Sequence, residues 1–502
     1  MQSTKDVIVI NEKDSVAVAV RQLAKGETIN IKGRSIIVMD DIPVPHKIAL
    51  KEIKKDAIVY KYGYPIGYAT QDIKEGEWVH IHNIKSGLTE FVSYEYHPER
   101  APTPRPLISK KLTFNGYQRE DGGVGIRNYI YIIPTVFCVN GPITNLAAMA
   151  DREMPASINF DGFIPYTHEC GCAESGLNLS YTRSILAGMS KNPNAAGVLF
   201  VGLGCEINDL ASFKPNLGDF DPTRVKFIAY QDVEDEFEES LKLLRELHAH
   251  ALTYQRESVP ISELIIGTNC AGSDGYSGLT ANPLVGEITD ILTFQGGTSV
   301  MTEVPEMFGA EQILMDRAVD EKVFHDIVKL ITDSKAYYKK YGIDVSKNPT
   351  TGNYAGGLST LEEKSLGCIE KGGKSKVAGV IPFGKRLAVP GLNLFEAPGH
   401  DLVSITGQVA AGCTLILFTT GRGTPGGFAA PVLRVTTNSD IYKRKKKWND
   451  FDAGVLLSGA SMERLTEDLL DLILKVANGE VRTNTEVNRY FEMGIWRDGI
   501  TT

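Results

Sequence analysis

A proline-rich segment divides the chain into two parts of different character. Residues 98–106 read Pro-Glu-Arg-Ala-Pro-Thr-Pro-Arg-Pro, and four prolines in nine residues cannot continue a helix or a central strand. Such a segment forms a stiff, extended linker. We therefore place a linker at residues 96–112 and a separate small domain at residues 1–95.

The first 95 residues are predicted to form a small β-rich domain. Short runs of apolar and β-branched residues alternate there with turn signals, which is typical of strands. The candidate strands are residues 7–10, 28–31, 35–39, 57–60 and 78–81.

Beyond the linker, strands alternate with helices, which predicts an α/β fold with a mostly parallel sheet covered by helices. Strands are expected at residues 129–136, 162–166, 197–201, 264–267, 377–381 and 414–418. Helices are expected at residues 142–152, 177–189, 234–255, 319–340 and 462–477. A length of 502 residues allows about three domains, so we divide this part into residues 113–258 and 259–502.

The composition of the chain argues against several classes of binding partner. A net charge of −9 argues against nucleic acid and anionic membranes, and no apolar run is long enough to span a bilayer. The N-terminus has no pattern of a secretion signal, and an odd number of cysteines, seven, fits reduced thiols in the cytosol. We expect a cytoplasmic protein with a small-molecule partner and, as is common for large enzymes, a homo-oligomer.

Four cysteines follow predicted strands and fall mostly in glycine-containing turns; they are Cys138, Cys172, Cys205 and Cys270. The carboxyl ends of parallel strands form the ligand crevice of such sheets, and thiolates that converge there suit iron or zinc. Taken alone, each cysteine is better explained as a small core residue. As a set they predict a metal site, whereas Cys368 and Cys413 are expected to pack in the core.

A pair of histidines forms a second candidate metal site. His80 and His82 would lie on the same side of the predicted strand, because side chains alternate along it. They could bind one metal ion together with His46, or they could simply be exposed histidines on a strand.

The segment 421–427 matches the G-x-G-x-x-G pattern of dinucleotide-binding loops. Pro431 and a strand-like run at 432–436 stand where that motif requires a helix, so we predict no nicotinamide binding. Backbone amides of this loop and Arg422 are instead expected to hold a substrate carboxylate.

Longer motifs are spread over nearly the whole chain. They are Lys61-Tyr62-Gly63, Gly125-Ile126-Arg127-Asn128, Cys138-Val139-Asn140-Gly141, Gly202-Leu203-Gly204-Cys205-Glu206, Gly272-Ser273-Asp274-Gly275, Thr302-Glu303-Val304-Pro305-Glu306 and Thr420-Gly421-Arg422-Gly423-Thr424-Pro425. In these motifs the chain resembles the altronate/galactarate dehydratase family, which also includes sulfolactate sulfo-lyases.

The resemblance implies a small N-terminal SAF-type β-domain followed by a two-part α/β catalytic region, with Fe²⁺ or Mn²⁺ as cofactor. It implies a hydro-lyase that converts a sugar acid to a 2-keto-3-deoxy acid. The segments 80–83 and 366–368 look like the branch that dehydrates D-altronate in hexuronate catabolism. A galactarate dehydratase is the alternative, and a non-catalytic carbohydrate- or metal-binding protein is a third possibility.

Dehydration needs a base for the α-proton and a Lewis acid for the resulting dianion. We assign metal binding to Cys138, Cys172, Cys205, Cys270 and His82, with mononuclear iron and an iron–sulfur cluster both left open. Candidate acid–base residues are His46, His80, His168 and Glu206. Candidate substrate-binding residues are Arg127, Asn128, Ser273, Asp274, Lys364 and Arg422.

Overall fold

The N-terminal part is antiparallel β-structure in the computed structural model, which describes residues 2–31, 33–88, 93–499 and 501. Its strands are β1 Gln2–Ser3, β2 Val7–Val9, β3 Val16–Ala19, β4 Thr28–Ile31, β5 Arg34–Ile37, β6 Lys47–Ala49, β7 Ile58–Lys61, β8 Tyr64–Ala69, β9 Trp78–Val79 and β10 Ile84–Lys85. One sheet has the order β1-β2-β3-β6-β9, a second has the order β10-β8-β7, and β4 and β5 form a hairpin.

The proline-rich segment lies at the surface. Pro98–Arg100 form one short 3₁₀ turn, and no residue between 97 and 111 is buried. The chain then enters a small antiparallel sheet in which β11 (Thr113–Gln118) pairs with β12 (Val124–Gly125) and with β17 (Arg256–Pro260).

The middle part contains a four-stranded parallel sheet. Its strands are β13 Tyr129–Pro134, β14 Gly162–Pro165, β15 Ala195–Gly202 and β16 Val225–Ala229, in the order β14-β13-β15-β16. Its helices are α1 Asn140–Glu153, α2 Gly176–Ser190, α3 Leu210–Phe213 and α4 Glu236–Ala251. Every residue of β13 and β15 is buried, as expected for parallel strands that are covered on both faces.

The C-terminal part contains a seven-stranded parallel sheet in the order β20-β21-β19-β18-β22-β23-β24. Its strands are β18 Ile265–Cys270, β19 Thr298–Met301, β20 Val377–Ile381, β21 Gly391–Phe395, β22 Leu415–Thr420, β23 Val432–Thr436 and β24 Phe451–Asp452. Its helices are α5 Ala281–Phe294, α6 Glu311–Asp316, α7 Glu321–Lys340, α8 Thr351–Ala355, α9 Leu361–Cys368, α10 Asp401–Ala411, α11 Ser439–Arg444, α12 Met462–Ala477 and α13 Asn484–Val487. After β18 the chain adds β19 beside it, forms the edge strand β20, returns to place β21 between them, and then crosses to β22 on the other side of β18.

Amphipathic helices cover both faces of this sheet. In α12, Leu465, Leu469 and Ile473 recur at helical spacing and pack with α5 against one face. Ser461 begins α12 as a side-chain cap on the amide of Arg464. Helix α10 covers the other face and packs against α2 of the middle part, so the two sheets share one core.

The predicted fold class, α/β with a β-rich N-terminal domain and a mostly parallel catalytic region, is confirmed. None of the helices in the described residues combines the length and apolar character needed to cross a membrane.

Candidate functional site

The carboxyl ends of β18 and β22 meet at the switch point of the large sheet, where open α/β sheets bind ligands. The amides of Gly421 and Arg422 donate to the carbonyl of Gly272, at 3.2 and 3.0 Å, and thereby join the two loops. The Arg422 side chain is exposed, and no hydrogen bond or ion pair holds its guanidinium within the described residues. Arg422 is therefore a cation available to a ligand.

Asp274 holds this crevice together rather than facing a ligand. Its buried carboxylate accepts hydrogen bonds from the hydroxyls of Thr437 and Ser277, at 2.8 and 3.1 Å, and so fastens the loop after β18 to the end of β23. Burial raises the pKa of Asp274 in spite of these donors. Its neighbour Ser273 is also buried, and the Ser273 carbonyl accepts from the side chain of Asn353 at 2.9 Å.

Two histidines of the N-terminal domain lie beside these loops. The Pro45 carbonyl contacts Gly275 and Gly357, which brings the adjacent His46 to the crevice. The rings of His46 and His80 are 4.6 Å apart, and the Trp78 ring stacks on His80 at 5.5 Å. The two predicted acid–base histidines are thus brought together.

The two histidines differ in what their nitrogens contact. Burial lowers the pKa of His46 to about 4 and that of His80 to about 3, so both rings are neutral at neutral pH. His46 is held by Trp78 Nε1, 3.2 Å from its Nδ1, and by the backbone of Ala355. The buried Nδ1 of His80 has no partner among the described residues, which makes His80 the better candidate base.

The predicted strand geometry of the His80–His82 pair is wrong. Strand β9 ends at Val79, and residues 80–83 form a turn because the Asn83 side chain accepts the His80 amide at 2.9 Å. His82 is exposed, and its ring lies 5.3 Å from Trp78. A turn does not place the two imidazoles on one face as a strand would.

A second group of side chains is buried where β18 and β19 end. We call it the thiol–carboxylate group, and it consists of Cys270, Glu303, Glu306 and Cys368, whose ligand atoms all lie within 4.8 Å of one another. The Nζ of Lys371 lies among them, 2.9 Å from the Cys270 sulfur, 3.0 Å from the Cys368 sulfur and 3.3 Å from Glu303.

Burial and close contacts shift the pKa values of this group in opposite directions. A hydrogen bond with Cys368 and burial raise the pKa of Cys270, and burial and the neighbouring Glu306 raise the pKa of Glu303. A hydrogen bond from Cys270 lowers the pKa of Cys368, while Lys364 and Lys371 outweigh the burial that would raise the pKa of Glu306. The ammonium groups of Lys364 and Lys371 are therefore the cations that the buried thiols and carboxyls contact.

Lys364 is paired with Glu306 of this group and is not free for a substrate. Its Nζ is 2.5 Å from Glu306 and 3.0 Å from the side-chain oxygen of Asn348, and the residue is 8% exposed. Glu303 has a left-handed backbone, φ 67°, which is rare outside glycine and is typical of functional sites.

The other three predicted cysteine ligands lie in the middle domain. We call Cys138, Cys172 and Cys205 the thiol trio; all three are exposed, and they follow the adjacent strands β13, β14 and β15. Their loops are tied by backbone hydrogen bonds of 3.0 Å from Phe137 to Cys170 and from Ile207 to Cys172. The structure therefore divides the four cysteines between two places.

His168 and Glu206 order the loops of the trio. His168 donates from Nε2 to the Pro134 carbonyl at 2.8 Å and accepts the Cys170 amide on Nδ1 at 3.1 Å, so both nitrogens are used. Glu206 accepts the hydroxyl of Thr135 at 2.8 Å and the amide of Gly204 at 2.7 Å. Burial alone would raise the pKa of Glu206, but these bonds outweigh it and lower the pKa.

Arg127 and Asn128 are buried and hydrogen-bonded within the protein. The buried Arg127 guanidinium makes two bonds of 2.5 and 2.9 Å to Glu486, which leaves it unavailable to a substrate carboxylate. Asn128 is fully buried and bonds Arg119 and the Ala251 carbonyl, each at 2.9 Å. Both residues act in packing.

Sequence reasoning missed part of the thiol–carboxylate group. Cys368 was expected in the core, yet its sulfur lies 3.7 Å from that of Cys270. Glu303 and Glu306 follow β19 within a quoted motif, and their position after a parallel strand could have identified them. Lys371 gave no signal, because it comes one helical turn after Cys368 and nothing local pairs it with β18. Cys413 is buried in the core, as expected.

Family comparison covers all three parts of the chain. Residues 5–87 match the Altronate/galactarate dehydratase SAF domain, and residues 116–252 match the D-galactarate dehydratase/Altronate hydrolase, second domain. Residues 261–501 match the D-galactarate/Altronate dehydratase, C-terminal.

Full-length relatives agree with these matches. Altronate dehydratase of Bacillus subtilis (strain 168) is 46% identical over 498 residues, which cover 99% of this chain and 100% of the relative. Altronate dehydratase of Escherichia coli (strain K12) is 42% identical over 98% of this chain and 99% of its own. Galactarate dehydratase (L-threo-forming) of the same strain is 34% identical over 95% of this chain and 93% of its own. The resemblance seen in the motifs is confirmed, and the chain belongs to the D-galactarate/altronate dehydratase family.

Proposed function

We propose that this chain is a hydro-lyase that converts D-altronate to 2-dehydro-3-deoxy-D-gluconate and water. The observation that carries the proposal is the 46% identity to an altronate dehydratase over 99% of the chain, against 34% to a galactarate dehydratase. Galactarate remains the second candidate substrate because that relative is also aligned over 95% of the chain.

The crevice supplies side chains for this reaction. Arg422, whose guanidinium is exposed and unpaired within the described residues, binds the substrate carboxylate. His80, neutral and with a free Nδ1, accepts the proton from carbon 2. Hydroxide then leaves carbon 3 and takes up a proton to form water, and the enol that remains tautomerises to the 2-keto-3-deoxy acid.

Iron is proposed as the cofactor, and it would supply Lewis-acid stabilisation to a hydroxy acid bound to it. The thiol trio fits iron better than the thiol–carboxylate group does, because Lys371 already places an ammonium within 3.0 Å of both sulfurs of that group. Three thiolates also favour iron over manganese, which prefers oxygen ligands.

Cytoplasmic operation is part of the proposal, because all seven cysteines are free, as in a reducing compartment. Assembly into a symmetric homo-oligomer stays a prediction that size-exclusion chromatography with light scattering would test.

The test is turnover of a panel of aldonates and aldarates by anaerobically purified protein, with and without added Fe²⁺ or Mn²⁺. Formation of 2-keto-3-deoxy acid from D-altronate above the other acids supports the proposal. Preference for galactarate would assign the chain to the neighbouring activity. Ligand binding without product from any acid, with metal restored, would replace the dehydratase proposal by a binding protein.

A further inference from the structure

The loops that carry the thiol trio are built to hold three sulfurs at fixed positions. Each loop follows one of three adjacent parallel strands, so the thiols meet at one edge of the middle sheet. Asn208 reinforces the backbone bonds between the loops: its amide donates to the Gly171 carbonyl at 3.1 Å and its side chain to the Thr135 carbonyl at 3.0 Å. A cysteine that only fills space in a core needs no such framework, and these three are exposed.

Sulfur is the donor that the trio offers. The imidazole of His168 has both nitrogens engaged in the loop, and the carboxylate of Glu206 is occupied by Thr135 and by backbone amides. Neither is free to complete a mixed nitrogen, oxygen and sulfur site. A donor set of thiolates selects iron–sulfur clusters, zinc or copper(I) over harder ions.

The spacing of the trio favours a cluster over a single ion. Within the part of the chain that the structure describes, the thiol–carboxylate group is the one set of three or more such ligand atoms that all lie within 4.8 Å of one another. At least one pair of sulfurs in the trio is therefore further apart. A single tetrahedral ion with bonds of about 2.3 Å holds its sulfurs about 3.8 Å apart, whereas a cluster spreads them over several iron atoms.

The surroundings of the trio are also consistent with a cluster. Gln231 Nε2 lies 3.7 Å from the Cys205 sulfur, and hydrogen bonds of this kind tune the potential of iron–sulfur clusters. Each thiol must lose its proton on ligation, which makes binding stronger as pH rises.

We propose that Cys138, Cys172 and Cys205 ligate a [4Fe–4S] cluster through three thiolates, which leaves one iron without a protein ligand. An iron of this kind can bind the oxygens of a small hydroxy acid. That catalytic role rests on the proposed dehydration, whereas ligation of the cluster does not.

The test measures the cluster without any substrate. The full chain is reconstituted anaerobically with iron, sulfide and dithiothreitol, desalted, and analysed for iron and acid-labile sulfide per chain, with visible absorption and electron paramagnetic resonance after reduction. The variants are Cys138→Ser, Cys172→Ser and Cys205→Ser. Cys170→Ala is the matched control, because it lies in the loop of Cys172 but is buried against Arg497. Circular dichroism checks that each variant is folded.

We expect about four iron and four sulfide per chain in the wild type and in Cys170→Ala, and a loss of about tenfold or more in each folded trio variant. Iron without sulfide, zinc in place of iron, or unchanged sulfide in Cys205→Ser would overturn the proposal. Turnover of altronate by wild-type protein that binds no sulfide would refute the cluster and leave the dehydratase intact. A bound cluster without turnover would refute only the proposed reaction.

Discussion

The Nζ atom of Lys371 lies 2.9 Å from the Sγ atom of Cys270, and both side chains are buried. This lysine also reaches Cys368 and Glu303, so it is the cation at the centre of the thiol–carboxylate group. A buried charge is tolerated only when it is paired, and here Lys364 pairs with Glu306 while Lys371 contacts Glu303 and both sulfurs.

Replacing this central cation should be costly. Lys371→Met leaves one anion uncompensated in the interior, so we expect the free energy of unfolding in urea to fall by about 3–5 kcal/mol. Lys374→Met, in the same segment but exposed, is the control and should change it by less than about 0.5 kcal/mol. Equal stability of the two variants would contradict the role of Lys371 as the buried partner of these thiols and carboxyls. A gain of tightly bound metal by Lys371→Met would identify the group as a latent metal site.

Arg422 is predicted to bind the substrate carboxylate. Arg422→Ala should raise the KM for altronate about 10- to 100-fold, because a hydrogen bond to a charged group contributes about 1.5–3 kcal/mol. Folding should be unaffected, since the side chain is exposed. Steady-state kinetics measure the effect, and Arg444→Ala, another exposed arginine, is the control. An unchanged KM would place the carboxylate elsewhere.

His80 is predicted to be the base. His80→Gln should lower kcat about 10²- to 10⁴-fold, while the exposed His82→Gln stays close to wild type. Exchange of the proton on carbon 2 in deuterated water should be lost in parallel, which a purely structural effect would not require. If His80→Gln still exchanges this proton at the wild-type rate, another residue is the base.

The pH profile gives an independent check on this assignment. A histidine acts as a base in its neutral form, which is present above its pKa, and burial lowers the pKa of His80 to about 3 and of His46 to about 4. We therefore expect kcat/KM to show no acid limb near the ordinary histidine value of about 6.5, and to fall only below a pH of about 5. A limb at the ordinary value that disappears in His80→Gln would show a solvated base.

Glu363 makes docking of the N-terminal domain depend on pH. It accepts Lys47 and Lys61 at 2.8 Å each, with all three side chains fully buried. Burial alone would raise the pKa of Glu363, but the two ammonium groups outweigh it and hold the pKa at about 2, below the ordinary 4.5. The stabilisation is present above the unfolded value and is lost as the pH falls from 4.5 towards 2.

This shift corresponds to about 3 kcal/mol of stability that acid removes. Urea unfolding of wild type at neutral pH and at a pH of about 3 should show the loss. Glu363→Gln should be weaker at neutral pH and should lose little more on acidification. Glu52→Gln, at an exposed ion pair with Lys54, is the control. A variant as acid-sensitive as wild type would contradict this role of Glu363.

Local sequence patterns predicted the helices and strands in which apolar residues recur at a regular spacing. Residues 462–477 and 377–381 were predicted with the bounds that α12 and β20 have, because their apolar spacing is regular. Strand β21 was missed because Asn393 interrupts its apolar run. That amide is fully buried and donates to the Val389 carbonyl at 3.0 Å, which no local rule anticipates.

The candidate site shows the same limit. The alternation of strands and helices along the sequence is enough to place cysteines at strand ends. The position of the thiol trio could therefore be predicted. The pairing of Cys270 with Cys368 joins residues 98 positions apart, and α9 reaches this place by packing against the turn at 304–307 and against β8. The turn at His80 depends on a side chain, Asn83, that competes with the strand for backbone hydrogen bonds.

The exposed linker and the buried Lys47–Glu363–Lys61 contact contribute in different ways to docking of the N-terminal domain. A tether raises the local concentration of the N-terminal domain at its docking surface, but an exposed segment from 97 to 111 cannot determine its orientation. The two lysines meet one carboxylate in a single geometry and so set the register. The linker therefore determines how often the N-terminal domain meets its docking surface. The Lys47–Glu363–Lys61 contact determines the geometry of the crevice once the domain has docked.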